Sequence, residues 1–152
     1  MDGIAGKACI VTGSTKGIGL SVATALAEAG ADVVVSSRSA DDVDRVVAAL
    51  DARSPGRVIG IACDVSRVED CQELIGGAVE ELGRLDVLIN NAGVAWGAPL
   101  EEFPEAGWDK VMDTNVKGPF FLTQQLLPFL EKAATFFTVG DVITCDGGAV
   151  VS

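Results

Sequence analysis

Four short, almost wholly apolar runs, each followed by a stretch with helical spacing of its apolar residues, constrain this chain more than any other feature. The runs are residues 8–11, 33–35, 58–63 and 87–89. Runs of this length that stop at turn residues are typical of buried strands, and the stretches between them predict amphipathic helices. Alternating strands and helices form a parallel sheet with helices on both faces, an α/β architecture. Right-handed crossovers then order the first four strands 3-2-1-4.

The chain after the fourth run predicts a loop, a long helix and a final strand. The loop covers residues 92–104, the helix covers 105–131 with Pro119 as a site for a kink, and the strand covers 136–145. The join at residues 132–135 contains no Pro, Gly, Asn or Asp that would signal a turn. We expect the final strand to pair with the fourth one and to complete a five-stranded sheet.

Length and charge limit the classes of partner. The 152 residues fit one domain, and 49% of them are hydrophobic, which is enough for a sizeable core. With 11 basic against 22 acidic residues the net charge is −11. This charge argues against binding to nucleic acids or membrane surfaces, because both are polyanionic. No apolar run reaches the ~18 residues of a membrane span.

The cysteines favour a reducing compartment. None of the four belongs to a CxxC pair, and the chain has no histidine to complete a zinc site, so no metal site is predicted. Cys9, Cys63 and Cys145 lie in apolar runs and are expected to be small, reduced core residues. The first residues show no signal-peptide pattern. We therefore expect a cytoplasmic protein, with an organelle matrix as the open alternative.

The sequence TGSTKGIG, residues 12–19, follows the first predicted strand. Its glycines, Gly13, Gly17 and Gly19, have the spacing GxxxGxG. Glycine permits a tight turn and close approach of a phosphate to the backbone. The helix that begins near Gly17 points its free N–H groups and positive dipole end at that phosphate. Between a first strand and a first helix this loop predicts a dinucleotide site; the alternative is a loop that only packs helix on strand.

The tip of the second strand, SSR at residues 36–38, bears on the choice of nucleotide. An acidic residue at this tip binds a free ribose 2′-hydroxyl, whereas an arginine accommodates a 2′-phosphate. This chain has Arg38 and no acid there, and Lys16 adds a second cation from the glycine loop. Two cations near one phosphate favour NADP(H) over NAD(H). The alternative is that Arg38 is a solvated loop residue.

Five motifs, in this order along the chain, resemble the short-chain dehydrogenase/reductase family. They are TGSTKGIG, CDV at 63–65, NNAG at 90–93, NVKG at 115–118 and DGG at 146–148. The resemblance covers residues 7–133 and 135–148. It implies a Rossmann-like fold, a nicotinamide dinucleotide partner, and hydride transfer to or from a small carbonyl or alcohol.

The resemblance also implies a set of cofactor-binding residues. They are Gly13, Ser14, Thr15, Lys16, Gly17, Ile18, Gly19, Ser37, Arg38, Asp64, Val65, Asn91, Ala92 and Gly93. Asp64 would accept a hydrogen bond from the adenine amino group, and the Val65 backbone would complete that edge. Small residues after the fourth strand would leave room for the riboses.

Two asparagines have expected roles of different kinds. Asn115 matches the family's active-site asparagine, which is linked to an ordered water in the proton relay. Its helical position allows the alternative that it bonds local backbone and bends the helix. Asn90 is expected to hold the ends of neighbouring strands together.

The family's catalytic Ser, Tyr and Lys have no counterparts in this sequence. The chain contains no Tyr and no His, which excludes both a tyrosine acid and a Ser-His-Asp triad, and none of its lysines lies in the expected segment. The resemblance stops at the end of the long helix and resumes at the last strand. Roughly 100 residues are therefore missing at a seam near residues 132–135, judged from the size such domains reach. Exon skipping, an internal deletion or an incomplete sequence would each produce this seam.

Loss of that block would leave one face of the long helix and the outer sheet edge uncovered. We expect an apolar patch there, with Phe120, Phe121, Leu127 and Phe129 as candidates. The chain would then associate with itself or with full-length family members. Cofactor binding would be weaker and would rest on the adenosine and pyrophosphate half.

Three hypotheses follow for function. The chain is an NADP-linked carbonyl or alcohol oxidoreductase, a non-catalytic nucleotide-binding fragment, or a truncated, poorly folded oligomeric product. The substrate is not predicted. Trp96 and Phe103 could line its pocket, or they could pack in the core or on the surface.

Overall fold

One sheet with helices on both faces makes up the computed structural model, which describes residues 3–129, 134–138 and 144–145. The strands are β1 (Ala8–Thr12), β2 (Asp32–Ser36), β3 (Val58–Gly60), β4 (Val87–Asn90), β5 (Ala134–Thr138) and β6 (Thr144–Cys145). They are ordered β3-β2-β1-β4-β5-β6; β1 to β5 pair in parallel, and β6 pairs with β5 in antiparallel. The predicted Rossmann-like order 3-2-1-4, and a later strand beside the fourth, are confirmed.

The helices alternate with the strands as the apolar spacing predicts. They are α1 (Gly17–Glu28), α2 (Ala40–Asp51), α3 (Val68–Leu82), α4 (Glu105–Met112) and α5 (Gly118–Leu126). A π-helical segment, Asp113–Lys117, joins α4 to α5, and 3-10 turns cover Leu100–Glu102 and Leu127–Phe129. Among the described residues, no helix combines the length and apolar character needed to cross a membrane.

Two apolar layers flank the sheet, because successive residues of a strand point to opposite faces. On one face, Ala8 and Ile10 of β1 pack with residues of α3 and α5. On the other face, Cys9 and Val11 pack with residues of α1 and α2. The residues of β1 are buried throughout, as expected for a central parallel strand covered on both sides. This buried central strand ends at Thr12, where the glycine loop begins.

Cys9 and Cys63 are free and buried, in agreement with their prediction as core residues, and Cys71 is free and buried as well. Burial, together with the nearby Asp86 and Asp32 carboxylates, raises the pKa of the Cys9 thiol to about 12, so this thiol stays protonated at neutral pH. The side chain of Cys145 lies outside the part of the chain that the structure describes.

The long helix predicted for residues 105–131 is wrong as a single element. α4 ends at Met112, a π-helical turn follows, and α5 begins at Gly118 with Pro119 in its first turn. The Gly118 amide still donates to the Asp113 carbonyl within the π segment, whereas Pro119 has no N–H to donate. The helix is therefore interrupted next to the predicted kink site, by a π segment that ends directly before α5.

The strand predicted for residues 136–145 is also wrong as a single element. β5 ends at Thr138 and β6 follows as a separate, two-residue antiparallel strand, which makes six strands where five were expected. In the register with β4, Leu88 pairs with Phe136 and Asn90 with Thr138. Residues 132–133 of the predicted seam and the DGG motif at 146–148 lie outside the described residues.

The third strand ends earlier than predicted, at Gly60. Its path beside β2 continues nonetheless, because the Ile61 amide donates to the Val35 carbonyl at 3.1 Å and the Cys63 amide donates to the Ser37 carbonyl at 3.0 Å. The backbone leading to Asp64 is thus held along β2 although it is no longer regular strand.

The predicted apolar patch on α5 is present in part. Phe120 is 62% exposed, Leu127 52% and Phe129 41%. Phe121 was predicted to belong to the patch, but its side chain is half-buried and its ring packs edge-on against Phe120, with 5.3 Å between ring centroids. Phe120, Leu127 and Phe129 are called the α5 patch below.

Candidate nucleotide site

A cleft of about 780 Å³ opens where the carboxyl ends of β1 to β4 meet. In a parallel sheet this edge, beside the strand at which the order reverses, is where ligands bind. The cleft is lined by Gly13, Thr15, Lys16, Gly17, Ile18, Gly19, Ser37, Arg38, Cys63, Asp64, Val65, Asn91, Ala92, Gly93, Val94, Ala95, Thr114 and Asn115. Every predicted site residue except Ser14 belongs to this lining.

The glycine loop brings the start of α1 to the cleft. Gly13 adopts a left-handed φ of +64°, and a Cβ at this position would lie 2.9 Å from the Cα of Ala92. Only glycine therefore lets β1 turn this closely past the end of β4. Within the described chain, no side chain caps α1 and its first turn contains no acidic residue. Gly17, Ile18 and Gly19 of that turn line the cleft, and the free N–H groups at the start of a helix suit an anionic group.

Asn91 ties the ends of β1 and β4 together. Its side-chain Nδ2 donates to the carbonyls of Thr12 at 2.9 Å and Gly13 at 3.0 Å. The Thr12 hydroxyl in turn accepts from the backbone amides of Asn91 and Ala92, both at 3.1 Å. The prediction that Asn90 does this work is wrong: its buried Oδ1 has no partner among the described residues.

Ser14 is the predicted site residue that the structure places elsewhere. Its side chain is fully buried; the hydroxyl donates to the Val11 carbonyl at 2.7 Å and accepts from the Ser36 amide at 2.9 Å. Its own amide donates to the Ser36 carbonyl at 3.0 Å. Both polar groups are thus used within the protein, and Ser14 fixes the glycine loop to β2 instead of facing the cleft.

Lys16 and Arg38 give one end of the cleft a positive charge. Both side chains are exposed, and neither forms an ion pair with another residue in the described part of the chain. The charge of Lys16 acts on Asp42, which Arg45 binds at 2.8 Å. The hydrogen bond from Arg45, and a second one from Ser39, hold the pKa of Asp42 below its usual range. Arg45 therefore offsets the charge of Asp42, and Lys16 and Arg38 remain available to a ligand.

Asp64 is oriented by its own neighbours. Its Oδ1 accepts from the amide of Ser66 at 3.1 Å and from the Ser66 hydroxyl at 2.7 Å. The Asp64 amide donates to Asp70 at 3.0 Å. With Oδ1 engaged in this turn, the second carboxylate oxygen is the one left for a ligand at the β3 end of the cleft.

Asn115 lies in the π-helical segment and reaches across to the loop after β4. Its Oδ1 accepts from the Val94 amide and its Nδ2 donates to the Val94 carbonyl, both at 2.9 Å. The alternative that this side chain bonds its local helical backbone is therefore wrong. π-helical turns within helices are frequent at functional sites. Here the turn carries Thr114 and Asn115 to the wall of the cleft.

Four lining residues were not predicted: Cys63, Val94, Ala95 and Thr114. Three of them directly adjoin predicted site residues, and Cys63 is itself part of the CDV motif. A hydrogen bond with Cys71, together with burial, raises the pKa of Cys63 well above its usual range. Cys63 therefore lines the cleft as a neutral, apolar group. Trp96 and Phe103 do not belong to the lining.

Comparison with known proteins identifies a family for this chain. Residues 7–145 match the short chain dehydrogenase family. The chain is 43% identical over 132 residues to dehydrogenase/reductase SDR family member 4 of Oryctolagus cuniculus. This match covers 86% of this chain and 50% of that protein. The chain thus spans about half the length of the curated relatives that it matches.

Two solved structures share the fold. The NADP active-site complex of Pseudomonas aeruginosa RhlG has a TM-score of 0.76 at 42% identity, over 82% of this chain and 48% of that one. A 7α-hydroxysteroid dehydrogenase, complexed with NADH and 7-oxo glycochenodeoxycholic acid, has a TM-score of 0.79 at 34% identity, over 83% of this chain and 49% of that one. With the glycine loop, the CDV, NNAG and NVKG segments and the strand order all in place, this chain belongs to the short-chain dehydrogenase family.

Proposed function

We propose that this chain binds NADP(H) in the cleft and, with the 152 residues it has, acts as a nucleotide-binding member of its family without catalysing the family's reaction. The observation that carries the proposal is a combination at one cleft: no side chain caps the start of α1, and Lys16 and Arg38 have no ion-pair partner among the described residues. Helix N-termini and arginines are both preferred partners of phosphate groups.

The preference for a 2′-phosphate comes from this chain and not from its relatives. One similar structure holds NADP and another holds NADH, so membership of the family leaves the choice open. In this chain the residues after β2 are Ser37 and Arg38, without a carboxylate to bind a free 2′-hydroxyl. A phosphate at this position would gain a charge-assisted hydrogen bond from Arg38.

The absence of a general acid supports the non-catalytic part of the proposal. The chain has no tyrosine, and its resemblance to the family provides no position for the catalytic Lys or Ser. Losing a general acid alone lowers a rate by about 10²–10⁴-fold. Asn115 is the remnant of the active site, and in this chain both of its polar atoms are engaged by Val94.

Isothermal titration calorimetry with NADP⁺ and NAD⁺ tests the proposal. We expect NADP⁺ to bind more tightly, and Arg38→Asp to weaken NADP⁺ by at least about tenfold and to reverse the order of the two nucleotides. Arg53→Asp is the matched control, because Arg53 is exposed near the end of α2 and does not line the cleft. The proposal fails if neither nucleotide binds at millimolar concentration, or if both Asp variants weaken NADP⁺ equally.

An NADP-linked carbonyl or alcohol oxidoreductase is the second candidate, favoured by the presence of Asn115 at the wall of the cleft. Its test is consumption of NADPH with a panel of small ketones and aldehydes. Turnover that disappears in Asn115→Ala or Lys16→Glu would establish this candidate in place of the first one, whereas absence of turnover from protein that binds NADPH would exclude it.

We also propose that the α5 patch mediates association, either between two copies of this chain or with a full-length family member. Exposed large apolar side chains that form a patch are typical of a surface that another protein covers.

Free buried thiols such as Cys9 and Cys71 fit a cytoplasmic location, where disulfides are rare.

A further inference from the structure

The loop that follows β4 is fixed at three successive points, each on a different element. The Ala92 amide donates to Thr12 at the end of β1, and Val94 exchanges two hydrogen bonds with Asn115 of the π segment. The third point is the indole of Trp96, which packs on α4. Between these points the loop has no regular secondary structure of its own.

Trp96 packs against a bare stretch of helix backbone. A Cβ placed on Gly107 of α4 would lie 2.8–2.9 Å from three atoms of the indole, so the ring contacts the helix where no side chain intervenes. One turn later, the Nζ of Lys110 lies 5.5 Å from the ring centroid, within the range of a cation–π interaction. Gly107 and Lys110 together form the Trp96 seat.

Gly107 is the residue of the seat that allows Trp96 to approach the helix this closely. Glycine inside a helix disfavours that helix by about 1 kcal/mol relative to alanine. Gly107 has an ordinary helical backbone and is buried, so the helix itself does not require glycine at this position. The close approach of Trp96 does require glycine there.

The loop segment between these three points forms the wall of the cleft at the end of β4. Gly93, Val94 and Ala95 line the cleft, whereas Trp96 itself does not. In the strand order β3-β2-β1-β4, the end of β4 lies on the opposite side of β1 from Arg38 and Asp64. A dinucleotide with its 2′-phosphate at Arg38 and its pyrophosphate at the glycine loop would extend its second ribose and nicotinamide toward Gly93 to Ala95.

We propose that Trp96 is a positioning residue, whose seat on Gly107 and Lys110 holds Gly93 to Ala95 in place for the nicotinamide-ribose half of the dinucleotide. This role rests on the proposed NADP(H) binding. It predicts that the seat affects the two halves of the nucleotide unequally, because only one half reaches the loop that Trp96 holds.

The seat itself is tested by the fluorescence of Trp96 in a Trp108→Phe background, in which it is the sole tryptophan. Gly107→Ala places a methyl group where the indole packs, and Lys110→Met removes the cation from the ring. We expect both variants to shift or quench Trp96 emission in the protein without ligand. Unchanged emission in both would overturn the seat.

Calorimetry with NADP⁺ and with 2′,5′-ADP, which lacks the nicotinamide half, tests the function of the seat. We expect Trp96→Ala and Gly107→Ala to weaken NADP⁺ about three- to tenfold, as a partly disordered loop reduces the binding-competent fraction, and to leave 2′,5′-ADP within about twofold. Trp96→Phe keeps a ring on Gly107 and should restore most of the NADP⁺ affinity. Trp108→Ala is the matched control, because this exposed indole on α4 does not line the cleft.

The other outcomes of the calorimetry overturn either the positioning role of Trp96 alone or the proposed NADP(H) binding as well. Equal weakening of both ligands would show that Trp96 supports the whole fold, and no weakening of either would show that the seat is irrelevant to binding; both overturn the positioning role alone. Parent protein that binds NADP⁺ no more tightly than 2′,5′-ADP also overturns that role and leaves the proposed function standing. Parent protein that binds neither ligand overturns both.

Discussion

The side-chain amide of Asn115 pairs with both backbone polar groups of Val94, through two hydrogen bonds of 2.9 Å. This pairing joins the π-helical segment to the loop after β4, two parts of the chain that adjoin the same end of the cleft. An amide is the side chain suited to the task, since it donates and accepts at once. In this chain Asn115 thus braces the cleft wall, and its relay role in the family stays a prediction.

Asn115→Ala should lower the free energy of unfolding by about 1 kcal/mol, because two hydrogen bonds are lost at a site that water can reach. Lys117→Ala, on the same π segment, breaks only the exposed pair with Asp113 and should cost about 0.3 kcal/mol. Urea unfolding followed by circular dichroism would measure both. If Asn115→Ala lowers the free energy of unfolding no more than Lys117→Ala does, Asn115 does not brace the cleft wall.

Two helical glycines should respond to alanine with opposite signs. A Cβ at Gly118 would lie 2.5 Å from the Val65 carbonyl oxygen, so Gly118→Ala forces α5 away from the cleft lining and should destabilise the protein by about 1–3 kcal/mol. Gly76, inside α3, has nothing within 4 Å of its added Cβ. Gly76→Ala should therefore stabilise by up to about 1 kcal/mol. Chemical unfolding of both variants checks the pair, and equal shifts would refute the contact-based reasoning.

Asp86 should contribute stability that acid removes. Partial burial opposes its ionisation, but hydrogen bonds from Arg84 and the Ala8 amide, together with the charge of Lys7, hold its pKa below the usual range. Because the folded pKa is depressed, the stabilisation is complete above the unfolded pKa of about 3.9 and is lost as the pH falls through the folded value. Asp86→Asn should destabilise by about 1 kcal/mol at pH 7 and have a smaller effect at pH 3. A deficit that grows on acidification would be inconsistent with this sign.

The α5 patch should drive concentration-dependent association. A charge on this patch would have to be desolvated in any contact, so Phe120→Glu combined with Leu127→Glu should shift sedimentation towards the monomer. Leu100→Glu is the matched control, because Leu100 is 89% exposed but lies outside the patch. Sedimentation velocity over a range of concentrations measures the effect. Association that is unaffected by the double variant, or equally reduced by the control, would place the interface elsewhere.

Much of the sheet follows from local signals in the sequence. The apolar runs of β1, β2 and β4 are short and bounded by turn residues, and right-handed crossovers leave one order for parallel strands separated by helices. The cleft follows from the same reasoning, because the motifs directly follow predicted strands, whose carboxyl ends meet at one edge of a parallel sheet. Thr114 directly precedes the NVKG motif, and Cys63 is the first residue of the CDV motif, so both lie next to predicted site residues.

Tertiary contacts decide the features that the sequence left unpredicted. The π segment exists between two helices whose positions are set by distant contacts, Asn115 on Val94 and Gly118 against Val65. The helical spacing of the apolar residues does not predict either contact. Asn90 and Asn91 are likewise the same residue type in adjacent positions, and only the detailed geometry at the end of β4 decides which one reaches Thr12. Ser14 was assigned by its place in a motif, although its hydroxyl is used by Val11 and Ser36.

The lining residues that the structure describes all lie between Gly13 and Asn115, upstream of the join between α5 and β5. Under the proposed function, the chain before that join supplies the residues that hold the nucleotide. A change confined to the later stretch then leaves nucleotide capture intact, and a chain of this kind competes with active relatives for a shared pool of cofactor.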